Sequence, residues 1–122
     1  MRRKLISIVD DDESMLVALK ALLRSMGFDV NTFTSALQYI DTCVGQEPCC
    51  IITDIQMPGM CGFEFKRWLD SHGSTVPIIM VTALSEPRIW TQANATGIVG
   101  LLKKPFDAKE LLSCLKRANV VG

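Results

Sequence analysis

Histidine is nearly missing from this chain of 122 residues, with His72 the only one. No CxxC pair occurs, so the usual ligand set of a zinc site is missing too. The five cysteines, Cys43, Cys49, Cys50, Cys61 and Cys114, are odd in number and irregularly spaced, which argues against a disulfide framework. Cys50 and Cys114 fall in apolar patterns, where a free thiol behaves as a small hydrophobe. No sign of charge is in surplus: 13 basic and 13 acidic side chains give a formal net charge of zero. That balance disfavours direct contact with nucleic acid. The one basic cluster, Arg2-Arg3-Lys4, reads as a solvated tail. No apolar run approaches the roughly 20 residues that span a bilayer. No secretory signal is visible, because the basic cluster leads straight into a short run that ends in aspartates. Repeats, low-complexity stretches and linkers are absent as well. The expectation is one soluble, cytoplasmic domain covering residues 1–122, with no membrane contact.

What the chain does have is alternation. Its 48% hydrophobic content is enough for a real core. Strand-like runs at Leu5–Val9, Phe28–Thr32, Cys49–Thr53, Pro77–Val81 and Ile98–Leu102 alternate with helical patterns. The first helix is expected from Glu13 to Met26, capped by Asp12 and stopped by Gly27, with Met15, Leu19, Leu22, Leu23 and Met26 as its buried stripe. Ser35 caps a second helix carrying Leu37, Ile40 and Val44, and residues 45–48 form a loop. After a loop at residues 57–62, a third helix carries Phe63, Phe65, Lys66, Trp68 and Leu69 and ends before Gly73. A fourth runs from about Glu86 to Ala95, with Gly97 as its stop. The fifth is opened by an Asp107/Glu110 capping box and carries Leu111, Leu112, Leu115 and Ala118. The second strand is the least apolar and suits an edge, whereas the fourth reads as buried on both faces. Five strands alternating with five helices imply right-handed crossovers and an α/β, doubly wound, five-stranded parallel sheet of flavodoxin-like strand order 2-1-3-4-5.

The chemistry sits where these strands end. Asp10 and Asp11 follow the first, Asp54 the third, and Lys104 the fifth. Ligands of an open parallel sheet bind outside the carboxyl ends of its strands, and strands one and three are neighbours at the switch point. Three carboxylates and an ammonium group in one crevice suit a hard divalent cation and a phosphoryl group. Two adjacent acids after a buried strand are costly without a cation. Asp12 reads as a helix cap, Lys103 as a solvated neighbour and His72 as a surface loop residue. Met57 and Met60 read as loop packing.

The segments Ile8-Val9-Asp10-Asp11, Asp54-Ile55-Gln56-Met57-Pro58-Gly59-Met60-Cys61-Gly62, Val81-Thr82-Ala83 and Lys104-Pro105-Phe106 closely resemble, in order, those of the receiver domains of bacterial two-component response regulators. The likeness covers almost the whole chain and is greatest to receivers that precede a LuxR-type helix-turn-helix output domain. It implies that Asp54 accepts a phosphoryl group from a phosphohistidine on a histidine kinase. It further implies Mg²⁺ bound by Asp11, Asp54 and the backbone carbonyl of Gln56, with Asp10 bound to it directly or through a water. Lys104, Thr82 and the Ala83 N–H would meet the phosphoryl oxygens, and a cis Lys104–Pro105 bond would aim the lysine. The family's output surface places Thr82, Trp90 and Leu101 at the switch, with a homodimer formed on phosphorylation. A DNA-binding output domain beyond this chain would make transcription the controlled process, and the chain would act on nothing but itself.

The chain departs from the family at Leu101, where receivers commonly carry Tyr or Phe, so the usual threonine–aromatic switch is in doubt. In the family, the positions held here by Gln56 and Leu84 tune how water reaches the acyl phosphate. Two other readings stay open. Asp10-Asp11-Asp12 spells DxD after an apolar strand, as in haloacid-dehalogenase-like phosphatases, with Asp10 as nucleophile and Asp12 as acid/base. Thr53 and Lys104 would be its further residues, and Asp107 with Glu110 its only candidate metal pair. The other reading is a phosphorylation-independent interaction module.

Overall fold

The computed structural model describes residues 3–42 and 47–121. Cys43, Val44, Gly45 and Gln46 lie outside the described residues. So do Met1 and Arg2, leaving Arg3 and Lys4 from the basic cluster. In order along the chain the elements are β1 (Leu5–Val9), α1 (Glu13–Ser25), β2 (Asp29–Phe33), α2 (Ala36–Thr42), β3 (Cys50–Asp54), α3 (Gly62–Ser71), β4 (Ile78–Thr82), α4 (Pro87–Asn94), β5 (Gly100–Lys103) and α5 (Ala108–Arg117).

The strands form one parallel sheet in the order β2-β1-β3-β4-β5, as the alternating pattern implies. Every residue of β3 and β4 is buried, which fits their unbroken apolar runs and central positions. β2 keeps exposed residues at alternate positions and lies at the edge. Its pairing is one residue later than its apolar pattern indicated: Phe28 packs into the core, and Asp29 opens the ladder opposite Leu5. Small shifts of this kind also move the starts of β3, β4 and β5.

Helices cover both faces of the sheet, and the core divides into two clusters accordingly. One holds Ile6, Ile8, Ile52, Ile79 and Val81 with α1 and α5. The other holds Val9, Ile51, Ile78 and Met80 with Phe63, Phe65 and Leu69 of α3. The stripe of α1 is centred on Leu16, Leu19 and Leu23, and Leu16 belongs to it though Met15 was expected there. Met15, Leu22 and Met26 flank it, partly buried. The three central leucines follow the 3- and 4-residue steps of a helical face, and the flanking side chains lie to either side of that line.

In α2 the helix, its cap and Ile40 are as expected, with Gln38 N–H donating to Ser35 Oγ at 3.0 Å and Ile40 partly buried against the core, but Leu37 is not. Leu37 is 51% exposed, and the helix is anchored by Ala36 and Tyr39. The ring of Tyr39 meets Phe33 edge-on at 5.1 Å and Phe65 at 5.3 Å. An aromatic side chain reaches between two elements where leucine on the outer face cannot. Cys50 and Cys114 are both buried, as their apolar settings indicated, and burial pushes the Cys50 thiol up to about 12. Gly100 is required by its neighbour: a Cβ there would meet Cys114 Sγ at 2.6 Å. Among the described residues no helix is long and apolar enough to cross a membrane.

Candidate functional site

The register of the sheet brings the strand ends together. Val9 pairs with Thr53, Asp54 with Val81, and Thr82 with Lys103. Asp10 therefore continues β1 beside the end of β3, and its N–H donates to Phe33 O at 3.0 Å. Asp10 is 2% exposed and Asp54 6%, while Asp11 faces solvent. One carboxylate oxygen from each of Asp10, Asp11 and Asp54 falls within 4.8 Å of the others. Lys104 Nζ enters from the β5 side, 2.9 Å from Asp10 Oδ2 and 3.3 Å from Asp54 Oδ2. Its peptide bond to Pro105 is cis, and its N–H donates to Thr82 O at 2.8 Å.

The electrostatics follow from this crowding. Burial, reinforced by the charge of Asp10, pushes the Asp54 carboxyl up to about 6, and Lys104 only partly opposes the rise. Burial draws Lys104 down, but its contacts with Asp10 and Asp54 outweigh that, and its pKa is raised overall. The Asp12 N–H donates to Asp10 Oδ1 at 2.9 Å, which fixes one face of that carboxylate.

The loop after β3 is folded back on itself. Gly62 N–H donates to Ile55 O at 2.8 Å, and Cys61 N–H donates to Glu64 Oε1 at 3.0 Å to open α3. A side chain at position 62 would place its Cβ 2.6 Å from Asp54 O. The glycine thus lets the loop pass directly behind Asp54.

Thr82 is fully buried, and its hydroxyl donates to Gln56 Oε1 at 2.8 Å while accepting from Leu84 N–H at 3.0 Å. Ala83 is exposed beside it. The indole N–H of Trp90 donates to Leu84 O at 2.9 Å. Sequence reasoning named Gln56, Leu84 and Trp90 but missed that their polar groups connect. No sequence signal marks the connection, because it depends on the register of β3 against β4, which sets Asp54 opposite Val81 and brings Gln56 to Thr82. Leu101 is half-buried against the α3 and α4 side of the core.

The remaining candidates resolve simply. Asp12 Oδ1 accepts from Ser14 N–H at 3.1 Å and Met15 N–H at 3.3 Å, so it caps α1. The Ser14 hydroxyl, donating to the same oxygen at 2.6 Å, and then the Met15 N–H hold the Asp12 carboxyl below its ordinary range. Asp107 and Glu110 exchange the two bonds of a capping box and lie outside the carboxylate cluster. That leaves the DxD reading without its acid/base and without a second metal pair. Thr53 is buried, its hydroxyl bonded to Asp54 O. His72 ends α3, with its ring stacked on Trp68 at 3.9 Å. Met57 is buried, Met60 is partly buried, and Lys103 is exposed.

Residues 6–116 match the family described as response regulator receiver domain. The response regulator protein TmoT of Ectopseudomonas mendocina is 36% identical over 118 residues, 96% of this chain and 53% of TmoT. The transcriptional regulatory protein FixJ of Azorhizobium caulinodans is 31% identical over 111 residues, 91% of this chain and 53% of FixJ. The chain thus spans about half the length of these relatives. Among solved structures, FixJ-N aligns with a TM-score of 0.86 at 28% identity, covering 97% of this chain and 94% of that one. The chemotaxis protein CheY4 of Vibrio cholerae aligns at 0.84 and 29% identity, covering 96% and 99%. With the acids gathered at the strand ends and the match running through nearly every element, the chain belongs to the receiver domains of two-component response regulators.

Proposed function

We propose that Asp54 is the phosphoacceptor and that residues 1–122 form one domain taking its phosphoryl group from a histidine kinase in the cytoplasm. The observation that carries this reading is the convergence of Asp10, Asp11 and Asp54 on one point beside Lys104. An Asp54 carboxylate oxygen attacks the phosphorus of a phosphohistidine. The new O–P bond replaces the P–N bond, and the imidazole departs with the electron pair and takes a proton from solvent. Such transfers ask the protein mainly for positioning and for neutralisation of charge.

The donor set is all oxygen, with the carboxylates close enough to share one ion, which fits Mg²⁺. Asp10, Asp11, Asp54 and the backbone carbonyl of Gln56 would hold it. When bound, Mg²⁺ supplies positive charge to the carboxylates and to a phosphoryl oxygen. Lys104 offers a compact charge to a second oxygen. The Thr82 hydroxyl and the Ala83 N–H serve the remaining one. Lys104 is held in reach by the sheet register and by its contacts with both buried aspartates.

Phosphorylation then shifts Thr82 and changes the surface formed by α4, β5 and α5, where Trp90 and Leu101 lie. Homodimerisation and a DNA-binding output domain beyond this chain would turn that change into transcriptional control. The chain's only chemistry is on its own Asp54. The phosphatase reading loses its acid/base, because the Asp12 carboxylate is engaged in capping α1.

The test is incubation with acetyl phosphate and Mg²⁺ followed by mass spectrometry. One phosphoryl group on Asp54, absent in Asp54→Asn, is the expected result. Labelling of Asp10, or steady phosphate release that survives in Asp54→Asn, would overturn the reading.

A further inference from the structure

Thr82 has a single hydroxyl proton, and it is already in use. That proton is donated to Gln56 Oε1 at 2.8 Å, while the same oxygen accepts from Leu84 N–H at 3.0 Å. Leu84 O in turn accepts the indole N–H of Trp90 at 2.9 Å. Three consecutive hydrogen bonds therefore join the residue two beyond the phosphoacceptor to the middle of α4. We propose that Gln56 is a positioning residue that holds the Thr82 hydroxyl in its resting orientation, and that its release is transmitted through Leu84 to Trp90. The inference rests on the phosphoacceptor role of Asp54 given above, because a phosphoryl oxygen there is what competes for the Thr82 proton.

The energetics favour a hand-over. The Thr82–Gln56 bond joins two neutral groups, whereas a phosphoryl oxygen is charged and makes the stronger acceptor. Gln56 is exposed, so water replaces Thr82 at its carbonyl at little cost. Thr82 is fully buried, so its hydroxyl has no water to turn to and must donate to one partner or the other. Threonine is stiff at χ1 and moves between discrete wells, which makes the change two-valued. When the hydroxyl leaves, Leu84 N–H must follow it or lose its partner. The Leu84 carbonyl, on the same residue, carries the indole of Trp90 with it.

This route needs no aromatic ring at position 101. Leu101 packs into the core on the α3 and α4 side and has no polar group with which to report on Thr82. The hydrogen-bonded indole on the neighbouring helix supplies both the polar handle and the bulk.

The experiment uses the nitrogen–proton resonance of the Trp90 indole, in a Trp68→Phe background that leaves one indole signal. Beryllofluoride with Mg²⁺ is the phosphoryl mimic. Its addition is expected to shift the Trp90 resonance. Gln56→Met keeps side-chain length but removes the acceptor. In that variant the resonance should start part-way towards the mimic-bound position, and beryllofluoride should bind about threefold to tenfold tighter, the ratio equivalent to one net neutral hydrogen bond. In Thr82→Ala the mimic should leave the resonance in place, and Thr82→Ser should restore the shift. Gln56 is exposed, so Gln56→Met removes no core packing, and the serine variant guards the threonine position. A full Trp90 shift in Thr82→Ala, or an unmoved resting resonance with unchanged affinity in Gln56→Met, would overturn the relay. Acetyl phosphate labelling of Asp54, read by mass spectrometry on the same proteins, separates the outcomes: no label removes the phosphoacceptor reading itself, and label without indole movement removes only the relay.

Discussion

Lys104 sits closer to Asp10, at 2.9 Å, than to the phosphoacceptor candidate Asp54, at 3.3 Å. The resting lysine is thus shared, with Asp10 as its nearer partner. Removing it would leave two buried carboxylates and one exposed one without a cation. Lys104→Met should therefore destabilise the metal-free protein by about 2 kcal/mol near neutral pH, between the small worth of an exposed pair and the large cost of breaking a buried one. Mg²⁺ should recover much of that loss, since it supplies positive charge to the same oxygens. Urea denaturation with and without Mg²⁺ reads both effects. Equal stability of variant and wild type in the metal-free state would mean that the lysine does not neutralise the cluster.

A second expectation concerns pH. The Asp54 carboxyl is raised to about 6 in the folded chain by burial and by Asp10. In the unfolded chain it returns to the ordinary carboxylate range. Between those values the folded state binds more protons than the unfolded state, so the Asp54 contribution makes stability fall as pH rises. Lys104, with its pKa raised, stays charged throughout that window and does not tilt it. Metal-free Asp54→Asn should accordingly be more stable than wild type at about pH 7.5, with the advantage shrinking towards about pH 4.5. Thermal denaturation across that range checks it. A gap independent of pH would show that Asp54 ionises in the fold as it does in the unfolded chain.

These two predictions use the part of the site that was legible in the sequence. Largely apolar runs broken abruptly by acids mark the strand ends, so the sequence itself places Asp10, Asp11 and Asp54 there. The fold followed from the same alternation. What stayed hidden depends on lateral register. Gln56 and Thr82 are 26 residues apart, and their bond exists only because β3 and β4 pair with Asp54 opposite Val81. Hydrophobicity alone also misjudged α2, where Leu37 points outward and Tyr39 inward. On a short edge helix the choice between two apolar faces is made by the neighbours Phe33 and Phe65, which belong to other elements.

A packing relationship offers a third test. Gly100 lies so close to Cys114 that an added Cβ would meet Sγ at 2.6 Å and the cysteine Cβ at 3.0 Å. Gly100→Ala should cost about 1–3 kcal/mol by overpacking. Cys114→Ala removes the nearer atom and makes room. The double variant should therefore be more stable than the sum of the single losses indicates, with a coupling of about 1 kcal/mol or more. Strict additivity in denaturant midpoints would show that the backbone yields elsewhere and that the pair is not coupled.

The last prediction concerns the lifetime of the modified site. Leu84 is 36% exposed, and its N–H is bonded to the hydroxyl of Thr82, on the strand beside the proposed phosphoacceptor Asp54. Hydrolysis of an acyl phosphate on Asp54 needs a water molecule oriented towards phosphorus. An apolar side chain two positions beyond Thr82 gives that water no hydrogen-bond partner, so the wild-type phosphoprotein should be comparatively long-lived. Leu84→Glu places a carboxylate there that can orient water and accept its proton. A well-positioned base contributes a factor of about 100 or more, and a mobile exposed one should deliver a small part of that, about 3–10-fold faster decay. Leu84→Met, which keeps the position apolar, should decay as the wild type does. The backbone bonds of residue 84 to Thr82 and Trp90 remain available in both variants, so a change in decay reports on the side chain. The measurement is the loss of phosphoryl label from Asp54 after removal of the donor. A wild type that decays as fast as Leu84→Glu, or faster, would show that Leu84 does not shield the phosphorus.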